Sequence, residues 1–235
     1  MIAEYGYTFG AIFLSVVWVL IFLKRPDLRR QMLFIGFLVV PVVIVAFFLK
    51  PFVYGYWHPT VLFNLNSILG FSIEDIFFVF TLSGITSVLY EVFTKRSERL
   101  IEPLSAGQII IRTFCVFIFL FLTFAFLSYV GLWKHLYSSL IPNIILITYI
   151  WIRRKDLIKV MALSGLFGGL MYFALFALFL LIFPSYIQII YNLTNLWGVY
   201  ILRIPLEEII WGFHFSALMG GLYEYIFRVK LERIP

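Results

Sequence analysis

Residues Ile68 to Glu91 read ILGFSIEDIFFVFTLSGITSVLYE, and residues Ile201 to Glu224 read ILRIPLEEIIWGFHFSALMGGLYE. The second stretch lies 133 positions after the first, and nine of the twenty-four residues coincide: Ile68, Leu69, Glu74, Ile76, Phe80, Ser83, Leu89, Tyr90 and Glu91 with their counterparts. Upstream, KRPDLRRQMLFIG (Lys24 to Gly36) matches RRKDLIKVMALSG (Arg153 to Gly165) at an offset of 129, sharing Asp, Leu, Met and Gly. Self-similarity at a fixed period signals a duplicated structural unit. Each long stretch is apolar over more than twenty residues, so the unit is built from membrane helices.

The composition agrees. Of 235 residues, 63% are hydrophobic and only 13% charged, far more apolar surface than a water-soluble core of this size could hide. A span needs roughly 17 to 25 mostly apolar residues, and seven stretches meet or approach that: 5 to 23, 31 to 49, 72 to 94, 110 to 132, 136 to 152, 160 to 183 and 204 to 227. The first lacks a preceding basic region and a small-residue cleavage site, so it reads as a retained helix. Lysine and arginine favour cytoplasmic loops. With seven spans, fifteen of them fall on one face and only Lys50, Lys134 and Arg203 on the other, which predicts an outer N-terminus and a cytoplasmic C-terminus.

The expected architecture is therefore all-α: two parallel three-helix repeats (1–107 and 134–235) joined by a linking transmembrane helix (108–133), a 3+1+3 arrangement. The extra helix sets both repeats the same way up, so corresponding residues lie at one depth. Outer segments at Pro51 to Gly70 and Pro184 to Arg203, rich in aromatics and asparagines, are expected at the interface or folded back as lids.

Ionisable groups inside a bilayer are costly and tend to mark function. Glu74, Asp75, Glu207 and Glu208 sit at the outer starts of the third and seventh spans. Acidic residues are favoured at any helix N-terminus, but capping does not require pairs, and here a pair recurs at one depth in both repeats. Adjacent carboxyls in apolar surroundings repel as anions, so one is expected to keep its proton and serve as a general acid. Helical spacing puts Glu207, Trp211, His214 and Leu218 on one face, and Glu74, Phe78, Thr81 and Ile85 on the matching face. An acid followed by aromatic rings suits a carbocation, which ring quadrupoles attract. Packing is the plainer account of Phe78 and Trp211, as a core hydrogen bond is of His214. Arg203 could pair with Glu207, and Glu91 and Glu224 look like structural ion pairs with Lys95 and Arg228 at i+4.

Several classes are excluded. The net charge of +6 sits in short clusters between apolar runs rather than along one face, which argues against nucleic acid. No nucleotide fingerprint, Walker lysine, HExxH or paired-cysteine motif appears, so neither cofactor nor metal is expected, and Cys115 has no second cysteine. None of the seven lysines lies within a span, which excludes a retinal Schiff base.

An acidic pair after Pro-X, then apolar aromatics, then Leu-Tyr-Glu, once per three-helix repeat, resembles the membrane-embedded lycopene cyclase domain of the heterodimeric bacterial and fused fungal type. Ile204-Pro205-Leu206-Glu207-Glu208 carries the Pro-X-Glu-Glu pattern intact. Phe71-Ser72-Ile73-Glu74-Asp75-Ile76-Phe77-Phe78 carries it with Ser72 in place of proline, and Ile210-Trp211 replaces the aromatic pair usual after the acids. The resemblance covers nearly the whole chain, as a fusion of both halves. It implies non-redox cyclisation of the end group of a linear carotenoid or other polyene in the cell membrane, with Glu74 and Glu207 as acid/base residues and Asp75 and Glu208 as their partners. The rival reading from the residues is a non-catalytic carotenoid- or lipid-binding protein, or a small proton-coupled transporter, in which the paired acids relay protons. Oligomeric state is not legible.

Overall fold

The computed structural model describes residues 5–48, 57–64, 71–100, 103–129 and 135–233. In chain order the helices are α1 (Gly6–Lys24), α2 (Arg29–Phe48), α3 (Ile73–Thr94), α4 (Ala106–Tyr129), α5 (His135–Arg153), α6 (Leu157–Ile182), the short α7 (Tyr186–Ile190) and α8 (Leu206–Phe227). Every long apolar run of the sequence is thus one helix, the form in which lipid-embedded backbone satisfies its own hydrogen bonds. Four of them, α1, α3, α4 and α6, are long and apolar enough to cross a membrane, with mean hydropathies of 2.2, 1.8, 2.5 and 2.3. The chain is an all-α, multi-pass membrane protein.

α3 and α8 form the centre. Every residue of α3 from Thr81 to Glu91 is buried, as is α8 from His214 to Glu224. Because protein surrounds them, they admit polar residues that hydrogen-bond back to their own helix: Thr81 Oγ1 donates to Phe77 O at 2.6 Å, Ser83 Oγ to Val79 O at 2.6 Å and Thr86 Oγ1 to Leu82 O at 2.9 Å. α4 is peripheral, with Ile110, Ile111, Phe114, Leu122 and Phe126 exposed.

Close packing recurs at repeat-equivalent positions. Gly36 of α2 lies against Phe80 of α3, and Gly165 of α6 against Phe213 of α8; at both, a Cβ would sit 3.1 Å from the phenylalanine carbonyl oxygen. Small residues are what allow membrane helices this approach.

The turns between helices repeat just as closely. Arg25 forks onto Asp27 (3.0 and 2.7 Å) and donates to the carbonyls of Glu91 (3.2 Å) and Arg96 (2.7 Å). Arg154 forks onto Asp156 (2.8 and 2.7 Å) and donates to the carbonyls of Glu224 (3.2 Å) and Val229 (2.8 Å). Lys95 and Arg228 close α3 and α8 in the left-handed conformation, with φ of 52° and 54°.

Past those caps the chain departs from a purely helical expectation. The emerging segments β1 (Arg96–Leu100) and β4 (Val229–Arg233) pair antiparallel, Glu98 opposite Leu231. Those two positions are 133 apart, so the register is self-consistent under a twofold relating the repeats. Backbone leaving the helices needs partners, and each segment finds them in its own counterpart. A second pairing, β2 (Tyr200–Ile201) with β3 (Ile204–Pro205), forms a tight hairpin whose turn residues Leu202 and Arg203 both have positive φ, 49° and 68°.

The two segments expected at the interface or as lids meet each other. Within the described residues Trp57 bridges to Tyr191, and the His58 amide donates to Ile190 O at 2.8 Å. Residues 51–56 and 65–70 lie outside the described residues.

Candidate active site

The N-terminal ends of α3 and α8 carry the four acids expected from sequence, and Glu74, Asp75, Glu207 and Glu208 are all buried. Local sequence explains where they point. Ser72 caps α3: its hydroxyl accepts from the Asp75 amide at 3.1 Å, while Asp75 Oδ2 accepts from the Ser72 amide (2.7 Å) and hydroxyl (2.9 Å), a reciprocal capping box. The serine that stands where the second repeat has Pro205 therefore starts the helix by another route. In the second repeat Pro205, with φ of −56°, sets the chain into α8.

Within each pair the two acids differ in role. Glu74 Oε1 accepts from the Leu62 amide (2.7 Å) and the Thr8 hydroxyl (3.1 Å). Glu207 Oε1 accepts from the Trp197 amide. Each first acid thus tethers an outer segment through one oxygen. The other oxygen, Oε2, is buried in both and has no partner among the described residues. The second acids instead hold tyrosines: Tyr7 OH donates to Asp75 Oδ1 at 2.8 Å, and Tyr172 OH to Glu208 Oε2 at 3.1 Å.

These tyrosines, which the sequence did not single out, tie each second acid to a neighbouring helix, Tyr7 from α1 to Asp75 and Tyr172 from α6 to Glu208. Tyr186 of α7 packs against α1 beside Tyr7. Gly6 of α1 makes room for this, since a Cβ there would come 2.6 Å from the Tyr186 ring. The tyrosines are not repeat equivalents, Tyr7 belonging to α1 and Tyr172 to α6, so no periodic signal marks them.

The aromatic residues named from spacing surround the acids. Phe78 packs on Tyr7 (ring centroids 5.4 Å apart), which also meets Trp57 edge-on at 4.8 Å. Trp211 stacks on Phe215 at 4.8 Å and tilts against Tyr172 at 5.2 Å. His214 is buried; its Nδ1 lies 2.8 Å from Ile210 O, and its Nε2 has no partner among the described residues. Thr81 spends its hydroxyl on its own helix.

Two sequence-based pairings do not form. Arg203 occupies the β2–β3 turn, exposed, and makes no ion pair with Glu207; at positive φ and before the start of α8 it is outside the helical geometry that an i+4 contact requires. Lys95 likewise does not pair with Glu91, because it is the left-handed cap and not the next turn of helix. Glu91 and Glu224 are fully buried and joined through Gln31, whose amide donates to Glu224 Oε1 (2.9 Å), Glu91 Oε1 (3.4 Å) and Ser87 O (2.6 Å).

One cavity reaches Glu74, and a second lies farther along α8 beside Trp211. A groove of about 470 Å³ between α1 and α3 is lined by Thr8, Ser15, Leu20, Leu62, Glu74 and Phe77 among others, and is apolar except near Glu74. From Thr8 to Leu20 it follows α1 for about 18 Å at 1.5 Å per residue. A smaller cavity of about 160 Å³ has Trp211 and Phe215 on one side and Ser138, Pro142 and Asn143 on the other. Chemically, the site offers buried carboxyls with a free oxygen, aromatic walls and an apolar approach.

A family model described as Lycopene cyclase matches residues 5–93 and 134–226, one stretch for each repeat. No curated protein and no solved structure matches the chain.

Proposed function

The chain belongs to the lycopene cyclase family, and from that premise we propose that it closes the end group of a linear carotenoid or related polyene by acid/base chemistry through a carbocation. One observation carries the reading: Glu74 and Glu207 each anchor one oxygen to an outer-segment amide and keep the other buried and free. A carboxyl held in that way is aimed, and its unengaged oxygen can carry a proton to a substrate carbon.

In this mechanism the carboxylic acid protonates a terminal double bond, the cation closes onto a neighbouring alkene to form a carbon–carbon bond, and a carboxylate removes a proton to leave a β-type or related ring. Atoms and electrons balance, so product and substrate are isomers and the step itself calls for no redox cofactor. Phe78 and Trp211 offer ring faces to the cation. Buried walls keep water from quenching it. Asp75 accepts three hydrogen bonds, from Tyr7 OH and from the Ser72 amide and hydroxyl, and so acts as an acceptor fixed beside Glu74; Glu208 with Tyr172 has the matching part beside Glu207. His214 and Thr81 sit farther along the same helices and shape the path of the polyene. The groove along α1 is where the chain of the substrate would lie, open toward lipid.

The membrane arrangement follows the same proposal. α1 to α6 and α8 are the seven spans, the N-terminus is outside, and the strands β1 and β4 with the Arg25 and Arg154 turns are cytoplasmic. The acid pairs then lie near the outer face of the cytoplasmic membrane. Residues 1–107 and 134–235 are the two cyclase repeats, and 108–133 the linking helix.

The test is pigment analysis of lycopene-accumulating bacteria expressing this chain, beside a Glu74→Gln, Glu207→Gln double variant. Monocyclic or bicyclic carotenoids from the wild type and none from the variant are expected. Unchanged lycopene from a well-expressed wild type would refute cyclisation of that substrate.

A further inference from the structure

Away from the acids, at the opposite end of the second repeat, four arginines and two tyrosines enclose a cavity of about 320 Å³: Arg112, Arg153, Arg154, Arg228, Tyr149 and Tyr225. None of the lining residues is acidic. Arg154 is balanced by Asp156 at 2.7 Å. Arg112 donates to Tyr225 O at 3.1 Å and stands over the Tyr225 ring, 5.8 Å from its centroid, while Arg153 stands over Tyr149 at 5.7 Å. Tyr149 and Tyr225 meet edge to face at 6.1 Å, so the two rings form one wall on which both guanidiniums rest. A guanidinium carries five N–H donors, so a ring contact and a bond of this kind hold it in place and leave donors for a further partner.

A cytoplasmic surplus of basic residues is ordinary in a membrane protein, but orientation needs neither a cavity nor arginine in preference to lysine. The first repeat provides the comparison. Its residues equivalent to Arg153 and Arg228 are Lys24 and Lys95, and Arg112 has no counterpart there because it belongs to α4, which is outside the repeat. The fork-shaped donors converge only where the linking helix adds its arginine. Planar forks around a small polar cavity match the oxygens of a phosphate group.

We propose that this corner is a binding site for a phosphate-bearing anion, held by Arg112 and Arg153 with Arg228 beside them. Its placement at the ends of α4, α5 and α8 suits the headgroup of an anionic phospholipid, and the same donors would take a soluble phosphate. The site is independent of the cyclase reading, since none of its residues touches the acid pairs.

The experiment uses the full chain in nanodiscs and reads the thermal unfolding midpoint. Discs of phosphatidylcholine alone are compared with discs containing phosphatidylglycerol, and a third arm adds inorganic pyrophosphate to the phosphatidylcholine discs. Filling the site should raise the midpoint by about 5 °C or more. Arg153→Gln should abolish that rise, whereas Lys24→Gln, which removes the same charge from the first repeat, should keep it. Native mass spectrometry of the wild type from mixed discs gives a second readout that needs no variant: phosphatidylglycerol should be retained over phosphatidylcholine if the lipid is the ligand. A rise with phosphatidylglycerol alone assigns the headgroup, and a rise with pyrophosphate assigns a soluble anion. No rise with either probe, or an equal loss in Lys24→Gln, would overturn the proposal.

Discussion

Glu91 and Glu224 stand 133 residues apart in the chain and share one donor in the interior, the Gln31 amide, which lies 3.4 Å from Glu91 Oε1 and 2.9 Å from Glu224 Oε1. A glutamine side chain carries the same accepting oxygen as a carboxyl. Glu91→Gln should therefore fold with stability within about 1 kcal/mol of the wild type. Glu91→Ala removes the acceptor and leaves a cavity in the buried core, and should cost about 3 kcal/mol or more. Chemical denaturation in detergent micelles distinguishes the two; equal loss in both variants would show that the amide oxygen does not replace the carboxyl.

The free oxygens of Glu74 and Glu207 lead to a prediction for single variants. Glu74→Gln and Glu207→Gln keep the acceptor for the Leu62 and Trp197 amides, so those segments stay tethered while the proton is lost. Turnover by the affected site should fall by about 100-fold or more, with unfolding midpoints little changed. Product ratios of monocyclic to bicyclic carotenoid in each single variant would then report whether the two acids serve one site or two.

These residues also show what the sequence could and could not disclose. A bilayer span needs only length and apolarity, and the expected 72 to 94 is met by α3 at Ile73–Thr94. Side-chain pairing within a helix follows an i+4 rule, but the rule applies only inside the helix. It fails at Lys95, which is the left-handed cap of α3, and at Arg203, which turns the β2–β3 hairpin before α8 starts. Ser72 was readable in principle, since Ser-x-x-Asp ahead of an apolar run is a capping signature. Tyr7 and Tyr172 were not, because each reaches its acid across 68 or 36 residues and neither has an equivalent in the other repeat.

The two tyrosines can be tested by removing one oxygen. Tyr7→Phe removes the 2.8 Å bond to Asp75 and Tyr172→Phe the 3.1 Å bond to Glu208. Each should lower stability by about 1 kcal/mol. Each should also slow cyclisation, measured as turnover in membranes at matched expression. Unchanged turnover in either variant would mean that its tyrosine does not position the acid.

Acid sensitivity should appear at the Arg25 and Arg154 turns. Each guanidinium, hydrogen-bonded to the aspartate two residues on, holds the Asp27 and Asp156 carboxyls below their ordinary value of 3.8. A group whose folded value is depressed stabilises the fold above its unfolded value and loses that contribution as pH falls through the folded one. Both carboxylates are more than a third exposed, at 36% and 38%, so solvent screening limits each to about 0.5 kcal/mol. An Asp27→Asn, Asp156→Asn variant should therefore be slightly less stable than the wild type at pH 7, and the difference should shrink as pH falls below 3.8. The arginines matter more, because each also ties a helix end to the strand that follows: Arg25 to Glu91 O and Arg96 O, Arg154 to Glu224 O and Val229 O. Arg154→Gln should cost about 2 kcal/mol and free the β1–β4 pairing, which hydrogen exchange at Val229 to Leu231 would detect as faster amide loss; unchanged protection there would place the anchoring of β4 elsewhere.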